Sequence, residues 1–420
     1  VKTNSNSGVF LIDKGSFDHF IIGEEPGWVF QANHRVSVIE IEGKRSCINS
    51  CSLSELQRVL QEFVFSKKSQ YKIAVGYLSY DLKNLIEDGN SKNPDDTLIY
   101  FAGFKDYKLV KKHNIYKKLQ KKYINYFNIS KAQLKKIYQM PFKEYKDKIL
   151  RIKQYIEEGE VYQVNFTHRQ IYDFIGDPFE LYLRLSQIAK PAHGFYLDTG
   201  EKKILSLSPE RFFRIKNGII ETFPIKGTIK RGRTKKEDLF NRCKLLRSEK
   251  DRAEHLMIVD LLRNDLGKIC KAGSVGVDGL FNIRSYPTVH HMVSRIHGLL
   301  NRKNRFDEII RAIFPGGSVT GAPKIRAMQI IEELEDYSRG VYTGSTGYIL
   351  PDGSMDFNIA IRTMIIEGRR AYYSAGGGIV YDSDPWAEYE ETITKTEIIN
   401  KVMERLRREE DLLSEREMAP

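Results

Sequence analysis

At 420 residues, 41% hydrophobic and 11% aromatic, the chain can bury a sizeable core, as two or three average domains or one large one. A mean hydropathy of −0.43 argues against a membrane span, and the opening VKTNSNSGVF lacks the basic-then-apolar pattern of a signal peptide. Net charge +12 raises nucleic acid or small acidic molecules as partners; Cys47, Cys51, Cys243 and Cys270 are too scattered for a disulfide framework or a zinc site, which points to a reducing, cytoplasmic setting.

Residues 1 to about 105 read as mixed structure. Short strand patterns (VFLID, HRVSVIEI) precede a helix from about 53, LSELQRVLQEFVF, with apolar residues at helical spacing. KIAVGYLSYDL then reads as a buried strand that turns at Gly76. The run YKLVKKHNIYKKLQKKYINYF is Lys-rich and peripheral. It offers a polyanion patch or a solvated face, and without a nucleic-acid motif the solvated face is expected, with no nucleic acid as partner. A helix starts near 142 and ends at Gly159 as a C-terminal cap.

From 160 onward strands are joined by tight turns. FYLDTGEKKILSLS reads as one hairpin, and RFFRIKNGIIETF as another turning at Asn217-Gly218. The segment from GVYTGSTGY to AGGGIV predicts three long strands, turning at Asp352-Gly353 and Glu367-Gly368. Helices fall at about 235–265, 305–335 and 384–408. Strand-turn-strand connections without crossover helices give antiparallel sheets, so the fold class is α+β.

The Asn217-Gly218 turn sets a cross-strand count in which Glu210 falls opposite Ile225. The carboxylate of SLSPER and the lysine of FPIKGT, Lys226, then emerge at one open end, roughly 5–8 Å apart at Cβ. Strict alternation sends them to opposite faces, but Pro209 and Pro224 interrupt both strands and can re-aim them. A lysine is nucleophilic only when neutral, so burial or nearby cations such as Lys230, Arg231 and Arg233 must lower its pKa. Glu210 could then protonate a leaving oxygen. The plainer alternative is a solvated loop lysine.

In SDPWAEYEETITKTEII, Asp384 caps a helix with Pro385 at its first position, and Glu388, Glu391 and Lys395 share one face. Glu391 and Lys395 also suit an ordinary i,i+4 ion pair. Glu254 stands at the edge of an apolar stripe on another helix, and three carboxylates from two helices would suit Mg²⁺. FPGGSVTGAPKIRAM is a Gly-rich turn feeding a helix, a place for an anion, and Gly376 to Gly378 make a second Gly-rich run. Arg362 reads as mid-strand on the face with Asn358 and Ala360, an anchor for a carboxylate or a sheet ion pair. His291 is either a donor or a core histidine.

Together YIEEGEVYQVNFTHR, LSPERFF, PIKGT, DRAEHLMIVDLLRNDLG, HHMVSRIHG, FPGGSVTGAPKIRAM, GYILPDGSMDFNIAIRT and AGGGIVYDSDPWAEYEET resemble the chorismate-utilising enzymes, densely and in order from about 140 to 402. The N-terminal part matches more loosely, chiefly through GYLSYDL. The resemblance implies large antiparallel sheets packed as a sandwich with helices outside. It divides the chain into an N-terminal region (1–140), a chorismate-binding catalytic region (141–405) and a tail (406–420).

By the same resemblance Glu254, Glu388 and Glu391 match acids that hold Mg²⁺ and, through it, a chorismate carboxylate. Arg362, Tyr348 and the amides of Gly376, Gly377 and Gly378 match the groups around the other carboxylate. Glu210 matches the general acid, while Thr320, Gly321, Lys395, His291 and Thr228 fall on pocket positions. Members that add water hold a lysine base where this chain has Gln163. Anthranilate synthases have alanine in PIAGT, and aminodeoxychorismate synthases have the lysine of PIKGT, here Lys226, as a covalent nucleophile. The implied partners are chorismate, ammonia and a glutamine amidotransferase subunit, since no cysteine here lies in a G-x-C-x-G elbow.

Overall fold

The computed structural model describes residues 9–15, 18–50, 52–87, 92–93, 96–117, 133–285, 289–301 and 305–417. Among these, two large antiparallel sheets are built, one of 10 strands and one of 12. In the first, Gln163–Ile175 lies beside Arg370–Ile379, followed by Thr363–Glu367, Lys202–Ser208, His193–Asp198 and Phe10–Lys14. In the second, Val289–Leu299 lies beside both Ile225–Lys230 and Ile219–Thr222. Arg211–Lys216, Met355–Ile359, Ser345–Ile349, Ile73–Leu78 and Ile99–Phe104 follow in turn.

The sheets face each other across an apolar layer to which both contribute. Phe10, Phe195, Leu197 and Ile204 come from the first sheet, and Ile73, Val75, Tyr77, Ala102 and Phe104 from the second. Phe10 and Phe104 meet edge to face with centroids 4.7 Å apart, a geometry worth about 1 kcal/mol beyond the area it buries. Helices cover the outer faces. Leu53–Phe63, Glu249–Gly267 and Phe306–Ile313 pack on the 12-stranded sheet, and Pro178–Ala189 and Pro385–Glu417 on the other. This is the expected α+β sandwich.

Strands from both sides of residue 140 are interleaved. Phe10–Lys14 pairs with His193–Asp198, and Ile73–Leu78 pairs with Ser345–Ile349. The local signals explain most elements. Ser52 accepts a hydrogen bond from the Glu55 amide, capping Leu53–Phe63. Asn217 (φ 53°) and Gly218 (φ 74°) form the hairpin turn, with Lys216 opposite Ile219. Pro385 begins the last helix, and Asp384 Oδ1 accepts from the Ala387 amide at 2.8 Å.

Four expectations are corrected. Gly76 does not turn the chain: it lies inside Ile73–Leu78, where a Cβ would come within 2.0 Å of the Tyr100 carbonyl oxygen. The stretch read as one helix over 235–265 is two, Lys235–Arg247 and Glu249–Gly267, because Ser248 closes the first and caps the second. The helix read over 305–335 is likewise two, Phe306–Ile313 and Lys324–Leu334, separated by the Gly-rich turn. The strand through DFNIAIRTMII breaks at Ala360–Arg362, and its halves join different sheets. Of the Lys-rich run, residues 118–132 lie outside the described residues.

Candidate active site

Ile219–Thr222 and Ile225–Lys230 run in one continuous register along Val289–Leu299: Thr222 faces Ile296, Ile225 faces Val293 and Lys226 faces Met292. Gly227 then bulges out at φ +70°, so that Thr228 faces His291. The bulge, placed by the one residue that tolerates this φ, resets the alternation just beyond Lys226. Past Arg214–Glu221 the hairpin partners part company, and Glu210 does not pair with Ile225. The two side chains still converge: Glu210 is among the charges that act on Lys226, and Lys226 among those that act on Glu210.

Burial pushes the Lys226 pKa down, opposed by Glu254, Glu210 and Glu391 and assisted by Lys395. The expected helpers differ. Arg231 instead forks onto Asp238, with Nε–Oδ1 at 2.6 Å and Nη2–Oδ2 at 2.7 Å. Burial drives the Glu210 carboxyl up to about 7, against the Ser318 hydroxyl, which donates to its Oε1 at 2.8 Å, and against Lys226. The backbone of Glu210 is held at both ends: its amide donates to Ser208 Oγ (3.1 Å), and its carbonyl accepts from the Ile359 amide (3.1 Å).

Glu388 and Glu391 share a face of the last helix, as expected. The Glu388 carboxyl is held above its ordinary range by burial and by Glu391, despite a hydrogen bond from Ser383 (2.7 Å). Lys395 Nζ bridges Glu391 Oε1 at 2.5 Å and the Gly376 carbonyl at 2.7 Å. Glu254 acts on the Lys226 ammonium from the helix Glu249–Gly267. Among the described residues no three acidic, histidine or cysteine side chains converge as a closed metal cluster.

Gly376, Gly377 and Gly378 pair with Thr167, Phe166 and Asn165 on one edge. On the other edge, pairing with Thr363–Glu367 ends at Tyr373, because that neighbour leaves the sheet at Arg362. Arg362 holds φ +52° at this crossing, and its Nη1 donates to the Lys395 carbonyl at 3.4 Å. The break thus leaves the glycine run with one edge free of strand pairing among the described residues. A Cβ at Gly377 would lie 3.1 Å from Glu388 Oε2, and one at Gly378 would lie 2.6 Å from Gln163 Nε2. Gln163 itself is fully buried, with neither side-chain polar atom partnered. Such an amide calls for a polar ligand or water.

Thr228 Oγ1 lies 2.8 Å from His291 Nδ1, and burial lowers the pKa of His291. Thr320, fully buried, passes its carbonyl to the Asn165 amide (2.7 Å), and Gly321 pairs with Val164. The Tyr348 hydroxyl accepts from Lys14, whose ammonium lies 4.7 Å from its ring centroid and 3.5 Å from Asp356. Sequence reasoning missed Ser318, Ser383 and the buried, unpartnered Tyr373 hydroxyl, which lies within the electrostatic reach of Arg362. The Gly-rich turn announced Ser318, whereas nothing in the local pattern announced Tyr373.

Lys226, Glu210, Glu254, Glu391 and Lys395 therefore share one electrostatic neighbourhood, bordered by the Gly376–Gly378 edge. It unites a half-buried amine whose pKa is lowered, a carboxyl raised to about 7, and a group of carboxylates of which Glu391 is paired with Lys395. An amine and a carboxyl so tuned have the chemistry to attack an electron-poor carbon and to protonate a leaving oxygen.

Comparison with known proteins identifies the family. The sequence profile of the family described as chorismate binding enzyme matches residues 9–401. Aminodeoxychorismate synthase component 1 of Escherichia coli (strain K12) is 45% identical over 266 residues, 63% of this chain and 59% of that protein. Anthranilate synthase component 1 of Aquifex aeolicus (strain VF5) is 46% identical over 261 residues, 62% of this chain and 53% of that protein. The chain thus spans between half and three fifths of the length of these curated relatives. The crystal structure of anthranilate synthase component I from Streptococcus pneumoniae TIGR4 is similar at TM-score 0.74 and 28% identity, covering 94% of this chain and 93% of that one. With 393 of its residues inside the matched span, the chain belongs to the chorismate binding enzyme family.

Proposed function

We propose that the chain is the chorismate-aminating component of an aminodeoxychorismate synthase, working through a covalent bond to Lys226. The observation that carries this reading is the placement of Lys226: a half-buried amine, with lowered pKa, within electrostatic reach of a carboxyl raised to about 7. The neutral Nζ attacks C2 of chorismate, the ring double bonds shift, and the C4 hydroxyl leaves as water with the proton of Glu210. Ammonia then attacks C4, the double bonds shift back, and the C2–Nζ bond breaks. The net change is chorismate plus ammonia to 4-amino-4-deoxychorismate plus water.

Mg²⁺ is the ion the resemblance implies: Glu388 and Glu391 crowd like charges on one helix face and Glu254 offers a third carboxylate from Glu249–Gly267, and these three would have to draw together to hold it. When bound, the ion supplies positive charge for a substrate carboxylate. Arg362 and the open edge of Gly376–Gly378 suit the other carboxylate. Gln163 stands where water-adding relatives hold a lysine base, which disfavours hydration of the ring. Ammonia would come from a glutamine amidotransferase subunit, in the cytoplasm.

The test is to incubate the purified protein with chorismate, Mg²⁺ and ammonium, quench it, and measure the mass of the Lys226 peptide. A chorismate-derived adduct on Lys226, with aminodeoxychorismate as product and no pyruvate released, is expected. Anthranilate with pyruvate and no adduct overturns the reading. The anthranilate alternative rests on relatives of that name at similar identity. A non-catalytic nucleic-acid binder, the remaining alternative, would turn over no chorismate.

A further inference from the structure

Between the two halves of the molecule lies a buried cation that takes no part in the chemistry above. We propose that Arg339 is a positioning residue for that chemistry: it fixes the loop bearing Ser318 and the strand bearing Gln163, and is itself seated by Tyr80 and Asp81. The inference rests on the reading of Glu210 as the general acid.

Arg339 is 1% exposed, so it acts through its neighbours and not on substrate. Its Nε and Nη2 fork onto Glu335, at 2.8 and 2.7 Å. Nη1 donates to the Val319 carbonyl (2.9 Å) and to Thr343 Oγ1 (3.3 Å), and Nη2 also donates to the Asn165 carbonyl (2.7 Å). Val319 directly follows Ser318, the donor to Glu210. Asn165 lies two residues from Gln163 and faces Gly378 in the ladder. Glu335 in turn accepts from the Thr167 amide (2.8 Å) and hydroxyl (2.9 Å), securing the same strand. One guanidinium thus spaces the general acid's hydrogen-bond donor from the floor of the glycine edge.

The seat comes from GYLSYDL, the N-terminal motif for which the chemistry has no other use. The Tyr80 ring centroid is 4.5 Å from the guanidinium carbon. The Tyr80 amide donates to the Gly340 carbonyl (2.7 Å), and the Gly340 amide to Asp81 Oδ2 (2.8 Å). A buried ion pair is weak grounds for stability, because desolvation consumes most of what the attraction returns. A planar fork that holds five oxygens at fixed spacing is geometry that lysine cannot reproduce.

The experiment follows the Glu210 carboxyl by infrared difference titration without substrate, assigned by subtracting Glu210→Gln, together with kcat and KM for chorismate. In Arg339→Lys, kcat should fall about 10- to 100-fold, with KM moving far less. The Glu210 titration should move upward, because the carboxylate loses its hydrogen bond. Ser318→Ala should move it the same way, and the double variant no further than Ser318→Ala alone. An unmoved titration in folded Arg339→Lys, or additive shifts in the double variant, overturns the proposal. If Arg339→Lys does not fold, Tyr80→Leu and Asp81→Asn loosen the seat instead. Smaller shifts of the same sign support the proposal, and unchanged titration and kcat in both overturn it. The titration needs no turnover, so an unexpected product in the Lys226 assay would count against the proposed function and leave this result readable.

Discussion

Lys226 lies inside the strand Ile225–Lys230 and Glu210 just ahead of Arg211–Lys216 in the same sheet, and each shifts the other's proton equilibrium. Their charges favour an ammonium beside a carboxylate, while burial favours an amine beside a carboxylic acid, and burial is the larger effect on both. The pair is thereby biased toward the two neutral forms that the proposed first step consumes.

A pH profile follows from these signs. Turnover rises as Lys226 loses its proton and falls as Glu210 loses its own, which it does near 7. The plot of kcat/KM against pH should therefore bend down above about 7. Residual turnover of Glu210→Gln should lack that bend, since nothing there titrates in its place. An alkaline limb that survives in the variant would assign it to another group.

The same carboxyl should cost the fold stability. With its pKa raised from 4.5 to about 7, folded protein keeps a proton that unfolded chain has released, so stability declines as pH rises through that window. The loss is about 3 kcal/mol once Glu210 is fully ionised. Glu210→Gln should be more stable than the parent at pH 8, with the gap closing toward pH 4.5. Thermal unfolding across that range measures it, and an equal gap at both ends would refute the linkage.

Gly227 makes a backbone prediction. It sits at φ +70°, and a Cβ there would come 2.9 Å from Leu245 Cδ1 and 3.0 Å from Asp251 Oδ1. The leucine tip can yield, so the strained φ is the main cost, about 1–3 kcal/mol. Gly227→Ala should lower the denaturation midpoint accordingly and reduce kcat by a larger factor than it raises KM, because relaxing the bulge re-aims Lys226 or Thr228. Unchanged kcat with a lowered midpoint would make the bulge purely structural.

Much of this was legible in the residues. The Asn217-Gly218 turn, the Asp384 cap and the pairing of Glu391 with Lys395 follow from local chemistry, and local chemistry decided them. What escaped depends on distant partners. The alternation in DFNIAIRTMII is equally good for one strand or two, and the turn of Arg362 to φ +52° is set by a change of sheet that no neighbour announces. Gly76 looks like a turn in the sequence because the carbonyl of Tyr100, which excludes a side chain there, lies on another strand. A hairpin count places Glu210 opposite Lys226's neighbour Ile225, but the ladder ends at Arg214–Glu221 and the two groups influence each other only through space, from segments that have already separated.

Lys395 gives a prediction with opposite signs at two neighbouring positions. Its ammonium touches Glu391, a carboxylate of the proposed Mg²⁺ set, and so competes with the ion for the same charge. Lys395→Met removes the competitor and should lower the dissociation constant for Mg²⁺, whereas Glu391→Gln removes a donor and should raise it, each by about tenfold. Lys395→Met also strips the Gly376 carbonyl of its donor, so KM for chorismate should rise even as the metal binds more tightly. Calorimetric titration of the substrate-free protein reads the metal directly and separates the two effects. If both variants moved Mg²⁺ affinity in the same direction, Glu391 would be no metal donor and its contact with Lys395 would be a structural ion pair alone.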